Sequence, residues 1–208
     1  MFKRYQMVKV IGIYGPVGSG KSTLLEELKS YIPNSYIIPE YIDKLPDAET
    51  KLKMYLEGNI SAFEFQQYVL DYFEQTANEL QTSSYDFIFV ERLPVEGIQF
   101  FAKLDLLNGR ITSEQYDELL ERAKSLSFYP DPSDATEQPR TTTIKTDYLS
   151  PHQISQKAIL HLQTSNIRII KLKANLQTLK DRIIRRGREC EIEHYSDDYL
   201  KTMIEKYE

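Results

Sequence analysis

Short apolar runs bounded by polar residues recur along the chain at Val8–Tyr14, Tyr36–Ile38, Phe87–Val90 and Ile167–Leu172. Their lengths and boundaries predict strands. Between them, Ser22–Ser30, Leu52–Leu56, Phe63–Leu80, Leu104–Leu107, Tyr116–Leu126, Ile154–Leu162 and Leu176–Ile184 read as helices, most of them from apolar residues at helical spacing. Strands alternating with helices predict an α/β fold, a doubly wound parallel β-sheet with helices on both faces. From Ser127 to Pro151 the pattern lapses into prolines and threonines without a period, which predicts a long structureless loop, either a disordered excursion or a functional one.

With 208 residues the chain is long enough to bury its own core, and residues 1–208 read as one domain. A net charge of −5 and a pI near 5.4 exclude a protein that lives on a nucleic-acid backbone. The single Cys190 excludes an intrachain disulfide. No apolar run approaches the ~20 residues that cross a bilayer, and no signal peptide is visible, so a cytoplasmic, reducing environment is expected and no membrane partner.

The candidate chemistry begins at Gly15-Pro-Val-Gly18-Ser19-Gly20-Lys21-Ser22-Thr23, which satisfies G-x-x-x-x-G-K-[ST] between a predicted strand and a predicted helix. Glycines let the backbone wrap its N–H groups around phosphate oxygens, Lys21 supplies a charge, Ser22 offers a hydroxyl to Mg²⁺, and the helix aims its positive end at the anion. The chain therefore binds a nucleoside triphosphate on this reading. Neither D-x-x-G nor N-K-x-D occurs, which excludes a GTPase of the usual kind.

Glu40 and the pair Glu91-Arg92 each end a predicted strand, at the carboxyl edge where a parallel sheet opens its crevice. One carboxylate can take a hydroxyl proton, the other can help hold Mg²⁺, and the Arg can offset developing charge. Arg182, Arg185, Arg186 and Arg188 follow on one helix and the turn at Gly187, as a lid would carry them.

Taken in order, these residues resemble the deoxynucleoside kinase family. Phe63-Glu-Phe65-Gln66 looks like its phenylalanine-glutamine helix, Tyr55 lies eleven residues before Gln66, Phe101 lies ten beyond Glu91, and Tyr199–Glu208 is similar to its helix after the lid. The resemblance implies a P-loop nucleoside kinase architecture with an arginine-rich lid. It implies ATP as donor, Mg²⁺ held by Ser22 and Glu91, and a homodimer. It further implies Glu40 as base, with Arg92, Lys21, Arg182, Arg186 and Arg188 also catalytic. Tyr55, Gln66, Phe73, Arg92, Gly97, Phe101 and Glu191 would bind a deoxynucleoside, with Gln66 on the base edge, Phe101 stacked on the base and Glu191 on the 3′-hydroxyl. Phe63 reads as core.

The chain also departs from the family. Leu93 replaces the Ser of Glu-Arg-Ser, and Tyr41 follows Glu40 where Pro is common. Cytidine- and purine-preferring members carry an Arg and an Asp where this chain has Phe73 and Gly97, which points to a pyrimidine-tolerant or thymidine-accepting pocket; Glu96, one residue off, is a candidate acid. Relatives continue into a last strand and an adenine-holding loop beyond the position of Glu208, so either the sequence stops short of them or the chain is a minimal member. Two alternatives stay open: a nucleoside monophosphate kinase of the thymidylate type, which would need a further cation for the acceptor phosphate, and a non-catalytic nucleotide-binding protein.

Overall fold

The computed structural model describes residues 8–80, 84–126, 140–164 and 167–207. Five strands, β1 (Lys9–Tyr14), β2 (Ser35–Ile38), β3 (Phe87–Glu91), β4 (Arg140–Lys145) and β5 (Ile167–Lys173), form one sheet in the order β2-β3-β1-β5-β4. Every neighbouring pair is parallel. The connections carry helices α1 (Lys21–Tyr31), α2 (Ala48–Leu56), α3 (Ala62–Leu80), α4 (Pro94–Gly97), α5 (Lys103–Leu107), α6 (Ser113–Ser125), α7 (Pro151–Thr164), α8 (Leu176–Arg186), α9 (Glu189–His194) and α10 (Asp197–Lys206). The doubly wound α/β expectation holds. Among the described residues no helix is long and apolar enough to cross a membrane.

Strand periodicity sorts the core into two layers, because successive side chains point to opposite faces. In β3, Ile88 and Val90 join Leu52, Phe65, Leu70, Phe73 and Leu119 from α2, α3 and α6. Phe89 between them faces the other way, with Leu24, Leu25 and Leu28 of α1 and Ile154 and Ala158 of α7. The three leucines of α1 are at most 1 % exposed, and burying each contributes roughly 1.5–3 kcal/mol.

Part of the expected loop is a strand. Residues 127–139 lie outside the described residues, but Arg140–Lys145 is β4, paired along β5 from Thr141↔Ile169 to Lys145↔Lys173. Thr142 and Ile144 are buried while Thr141, Thr143 and Lys145 are exposed, the alternation of a half-buried strand. Threonine counts as polar in a hydropathy pattern, yet its β-branched side chain suits a pleated surface. The crossover β4–α7–β5 therefore fills the sheet position beside β5.

Helix ends are set locally. Asn175 accepts the Thr178 N–H at 2.8 Å to start α8, and Gly187, at φ 77°, ends it in the left-handed region. Ser196 accepts the Tyr199 N–H at 3.2 Å to start α10. α1 starts differently, with Gly20 before it at φ 100° and no capping side chain. Its first N–H groups are left for an anion.

Candidate active site

Two cavities open at the carboxyl edge of the sheet. One runs along the glycine loop and is lined by Gly18, Gly20, Lys21, Ser22 and Thr23 with Arg182, Arg185, Arg186 and Arg188. The other is enclosed, and its walls include Glu40, Tyr55, Gln66, Phe73, Arg92, Gly97, Phe101 and Glu191. Among the described residues Glu91 is the one that lines both. The substrate-side residues singled out in the sequence thus share one cavity, although they come from six elements.

Strand register explains the junction. Glu91 is the partner of Ile13, two residues before Gly15, so the β3 end and the glycine loop start side by side. Gly15 must be glycine: at φ 147° a Cβ would sit 2.6 Å from the Leu172 carbonyl oxygen and from Ser19 Oγ. Lys21 is buried against Glu91, with Nζ 3.7 Å from Oε1 and donating to the Pro16 carbonyl at 3.2 Å. Burial, with Arg92 nearby, lowers the Lys21 pKa; burial raises that of Glu91. Both shifts run toward the neutral forms. Ser19, singled out in the sequence as part of the phosphate loop, is fully buried and does not line the cleft.

Immediately after β3 the chain turns through Arg92, a non-glycine residue at φ 63°. That left-handed conformation is unfavourable for a side-chained residue. It throws the guanidinium back across the loop, where it donates to the Gly15 carbonyl at 3.0 Å and to Tyr207 Oη at 3.3 Å and pairs with the Glu40 carboxylate. Its carbon lies 5.1 Å from the Phe101 ring centre. Burial alone would raise the Glu40 pKa, but Arg92, Lys21, Arg186 and Arg188 together hold it below the ordinary carboxylate value. Phe101 owes its place to a π-helical turn, Ile98–Ala102, between α4 and α5.

The floor of the enclosed cavity holds a network that sequence reasoning missed. Asp105, fully buried, accepts from Tyr55 Oη at 2.9 Å and from Gln66 Nε2 at 3.4 Å, and it pairs with Arg110. Arg110 also donates to Tyr55 Oη and lies 4.6 Å over its ring. Phe65 stacks on the other side of Tyr55, with centroids 4.3 Å apart and planes 10° from parallel. Gln66 is therefore not an unpartnered amide, and the Tyr55 hydroxyl proton is already given to Asp105. Tyr195 and Tyr199, stacked 5.0 Å apart, close the cavity from the C-terminal side. No motif distance marked Tyr195, and Tyr199 entered the sequence reading only as the first residue of the segment similar to the helix after the lid.

The lid arginines divide. Arg186 donates to both Glu191 oxygens at 3.3 Å, and Arg188 to Oε1 at 3.2 Å and to Asp43. Arg182 instead donates to the carbonyls of Gly18 and Ser19 at 3.1 Å each, so its guanidinium is committed to the glycine loop. Glu96, the candidate acid of the sequence reading, does not line the enclosed cavity. It faces the opposite side of α4, in a cleft with Tyr14, Lys171 and Tyr207, while Gly97 faces the pocket. Phe63 packs on the core.

A phosphate loop joined to an enclosed aromatic cavity through one acidic residue defines a P-loop phosphotransferase. Residues 11–133, more than half of the chain, match the model of the deoxynucleoside kinase family, and the chain belongs to that family as an ATP-dependent nucleoside kinase. It is 26% identical over 204 residues to protein 029R of Invertebrate iridescent virus 3, which carries a kinase name; the alignment covers 97% of this chain and 82% of that one. Its fold is similar to that of a deoxyadenosine kinase from M. mycoides with bound dATP, at a TM-score of 0.58 and 19% identity, over 96% of this chain and 81% of that one.

Proposed function

We propose that the chain transfers the γ-phosphate of ATP to the 5′-hydroxyl of a deoxynucleoside and tolerates pyrimidine bases. The observation that carries this reading is the meeting of the two cavities at Glu91, with the Glu40–Arg92 pair beside it. Glu40 takes the hydroxyl proton, and Arg92 orients that carboxylate. Lys21, Arg186 and Arg188 offset the charge that spreads over the transferred group, whose loose transition state asks for positioning and charge more than for a strong base. Glu191, held by two arginines, accepts from the sugar.

Gln66 keeps one amide hydrogen and its carbonyl oxygen for a base edge while the other hydrogen is given to Asp105. Phe73 and Gly97 leave that part of the wall uncharged, so the pocket discriminates weakly between bases of similar shape. The residues also fit Mg²⁺. Glu91 Oε2 is buried without a hydrogen-bond partner, beside Ser22, and these two would hold the ion. Bound there, Mg²⁺ would neutralise charge on the phosphates.

A monophosphate acceptor fits less well. Among the described residues Arg92 is the one cationic side chain lining the enclosed cavity, and Glu40 already engages it. The test is to incubate the protein with Mg-ATP and thymidine, deoxycytidine, deoxyadenosine, deoxyguanosine or thymidine monophosphate, measuring ADP and the phosphorylated product. Turnover of thymidine or deoxycytidine is expected; turnover of the monophosphate alone would overturn the proposal, as would silence with every acceptor.

A further inference from the structure

The segment that follows β4, Thr146–Pro151, lies at the carboxyl edge of the sheet, beside the glycine loop. It is fastened to that loop. Thr146, fully buried, donates from Oγ1 to the Ser19 carbonyl at 3.1 Å and from its backbone N–H to the Lys173 carbonyl at 2.8 Å. Arg182, whose Nη1 bonds the Gly18 and Ser19 carbonyls, reaches with Nη2 to the Thr146 carbonyl at 3.0 Å. Asp147 accepts the Asn175 N–H at 2.6 Å, which joins the segment to the start of α8. A surface excursion would have none of these ties; this one is part of the wall of the phosphate cleft.

That cleft has two unlike ends. Asp43, Glu91 and Arg188 mark the end toward the enclosed cavity, while Leu149, Pro151 and Ile154 make an apolar wall elsewhere in the same cleft. Leu149 is half-buried, its inner side packed on the core layer of α1 and α7, so the wall is backed by rigid structure. Arg185 of the lid helix lines the same cleft and is exposed. A triphosphate seated on the α1 N-terminus points its γ-phosphate toward Glu91, and its base must then lie toward the remaining part of the cleft. We infer that Leu149 and Pro151, faced by the Arg185 guanidinium, form the seat of the donor nucleobase. A base presents two flat apolar faces, and a leucine-proline wall with a planar guanidinium opposite covers both. Arg182 is then a positioning residue that holds this wall to the phosphate loop.

The inference rests on the reading of the chain as an ATP-using kinase, and a binding titration separates the two. Calorimetry with Mg-ATP and with Mg-tripolyphosphate, the same anion without a base, measures what the base adds to affinity. In the wild-type protein ATP should bind at least about tenfold tighter, the scale of one stacked base. Leu149→Asp should remove most of that advantage and leave tripolyphosphate affinity within about twofold, which also reports that the variant is folded. Arg185→Lys keeps the charge and loses the plane, and should weaken ATP about threefold without moving tripolyphosphate. Unchanged ATP affinity in both variants would overturn the inference, as would equal weakening of both ligands by Leu149→Asp. If the wild-type protein binds the two ligands equally, the base seat falls and the kinase reading stands. If it binds neither, both fall.

Discussion

Arg92 and Glu40, 52 residues apart in the chain, form an ion pair at the entrance from the phosphate cleft to the enclosed cavity. Both are largely out of water, so neither is tolerable alone. The pairing means that the candidate base is held ionised and aimed before any substrate arrives, at the cost of a left-handed backbone at Arg92.

Glu40→Gln keeps the shape and a hydrogen-bonding group for Arg92 but cannot take a proton. We expect kcat to fall by ~10²-fold or more with ATP affinity nearly unchanged. Steady-state kinetics beside an ATP titration checks this, and unchanged turnover removes Glu40 from the mechanism.

Glu191 is nearly fully buried, lines the enclosed cavity and gathers Arg186 and Arg188. Glu191→Ala should raise the nucleoside KM and erode the preference for a 3′-hydroxyl. The ratio of kcat/KM for a deoxynucleoside to that for its 3′-deoxy analogue is the readout; an unaltered ratio refutes the contact with the sugar.

Arg110→Ala leaves Asp105 buried with only Tyr55 and Gln66 as donors. Losing the partner of an enclosed charge costs ~3–5 kcal/mol, but Arg110 is 41% exposed and water screens the pair, so a loss of about 2 kcal/mol is expected. Denaturant unfolding measures it. Arg110→Lys should recover part of the loss, and a variant as stable as wild type would show that Asp105 does not need the guanidinium.

Glu96 titrates in the neutral range, since burial pushes its pKa up to about 8 against the pull of Arg92 and Tyr207. The folded state thus holds this proton more tightly than the unfolded chain does. Its contribution is whole below the ordinary carboxylate pKa and is lost as pH rises through about 8, at about 1.4 kcal/mol per pH unit across that window. Glu96→Gln never ionises. It should therefore be more stable than wild type at about pH 9 and no more stable at about pH 5, as Tm at each pH will report; a gap independent of pH would remove Glu96 as its source.

Much of the site could be read before the fold, because it rests on residues with a single chemical use. Gly15 to Ser22 has few structural readings, whereas the spacings of Tyr55 to Gln66 and of Glu91 to Phe101 were legible only through the resemblance to the deoxynucleoside kinases, because each crosses a loop or turn between elements. What escaped depends on contacts between distant parts of the chain. Asp105 and Arg110 are an ordinary acid and base until Tyr55 and Gln66 are folded over them. Arg182 sits among lid arginines in sequence, yet Thr146 and the glycine loop claim its guanidinium. β4 was hidden by its threonines, and the side of α4 that Glu96 takes turns on one residue of helical phase.

Strand β4 has a consequence for the protein in a crowded solution. Without it the outermost strand would be β5, whose Ile-Arg-Ile-Ile-Lys-Leu-Lys sequence would show a row of unpaired backbone groups flanked by branched apolar side chains. Such an edge invites a second chain to add itself. β4 covers it and offers in its place an edge studded with exposed Thr141, Thr143 and Lys145, while the opposite edge, β2, is only four residues long. The same six residues that complete the sheet keep one molecule from becoming the template for the next.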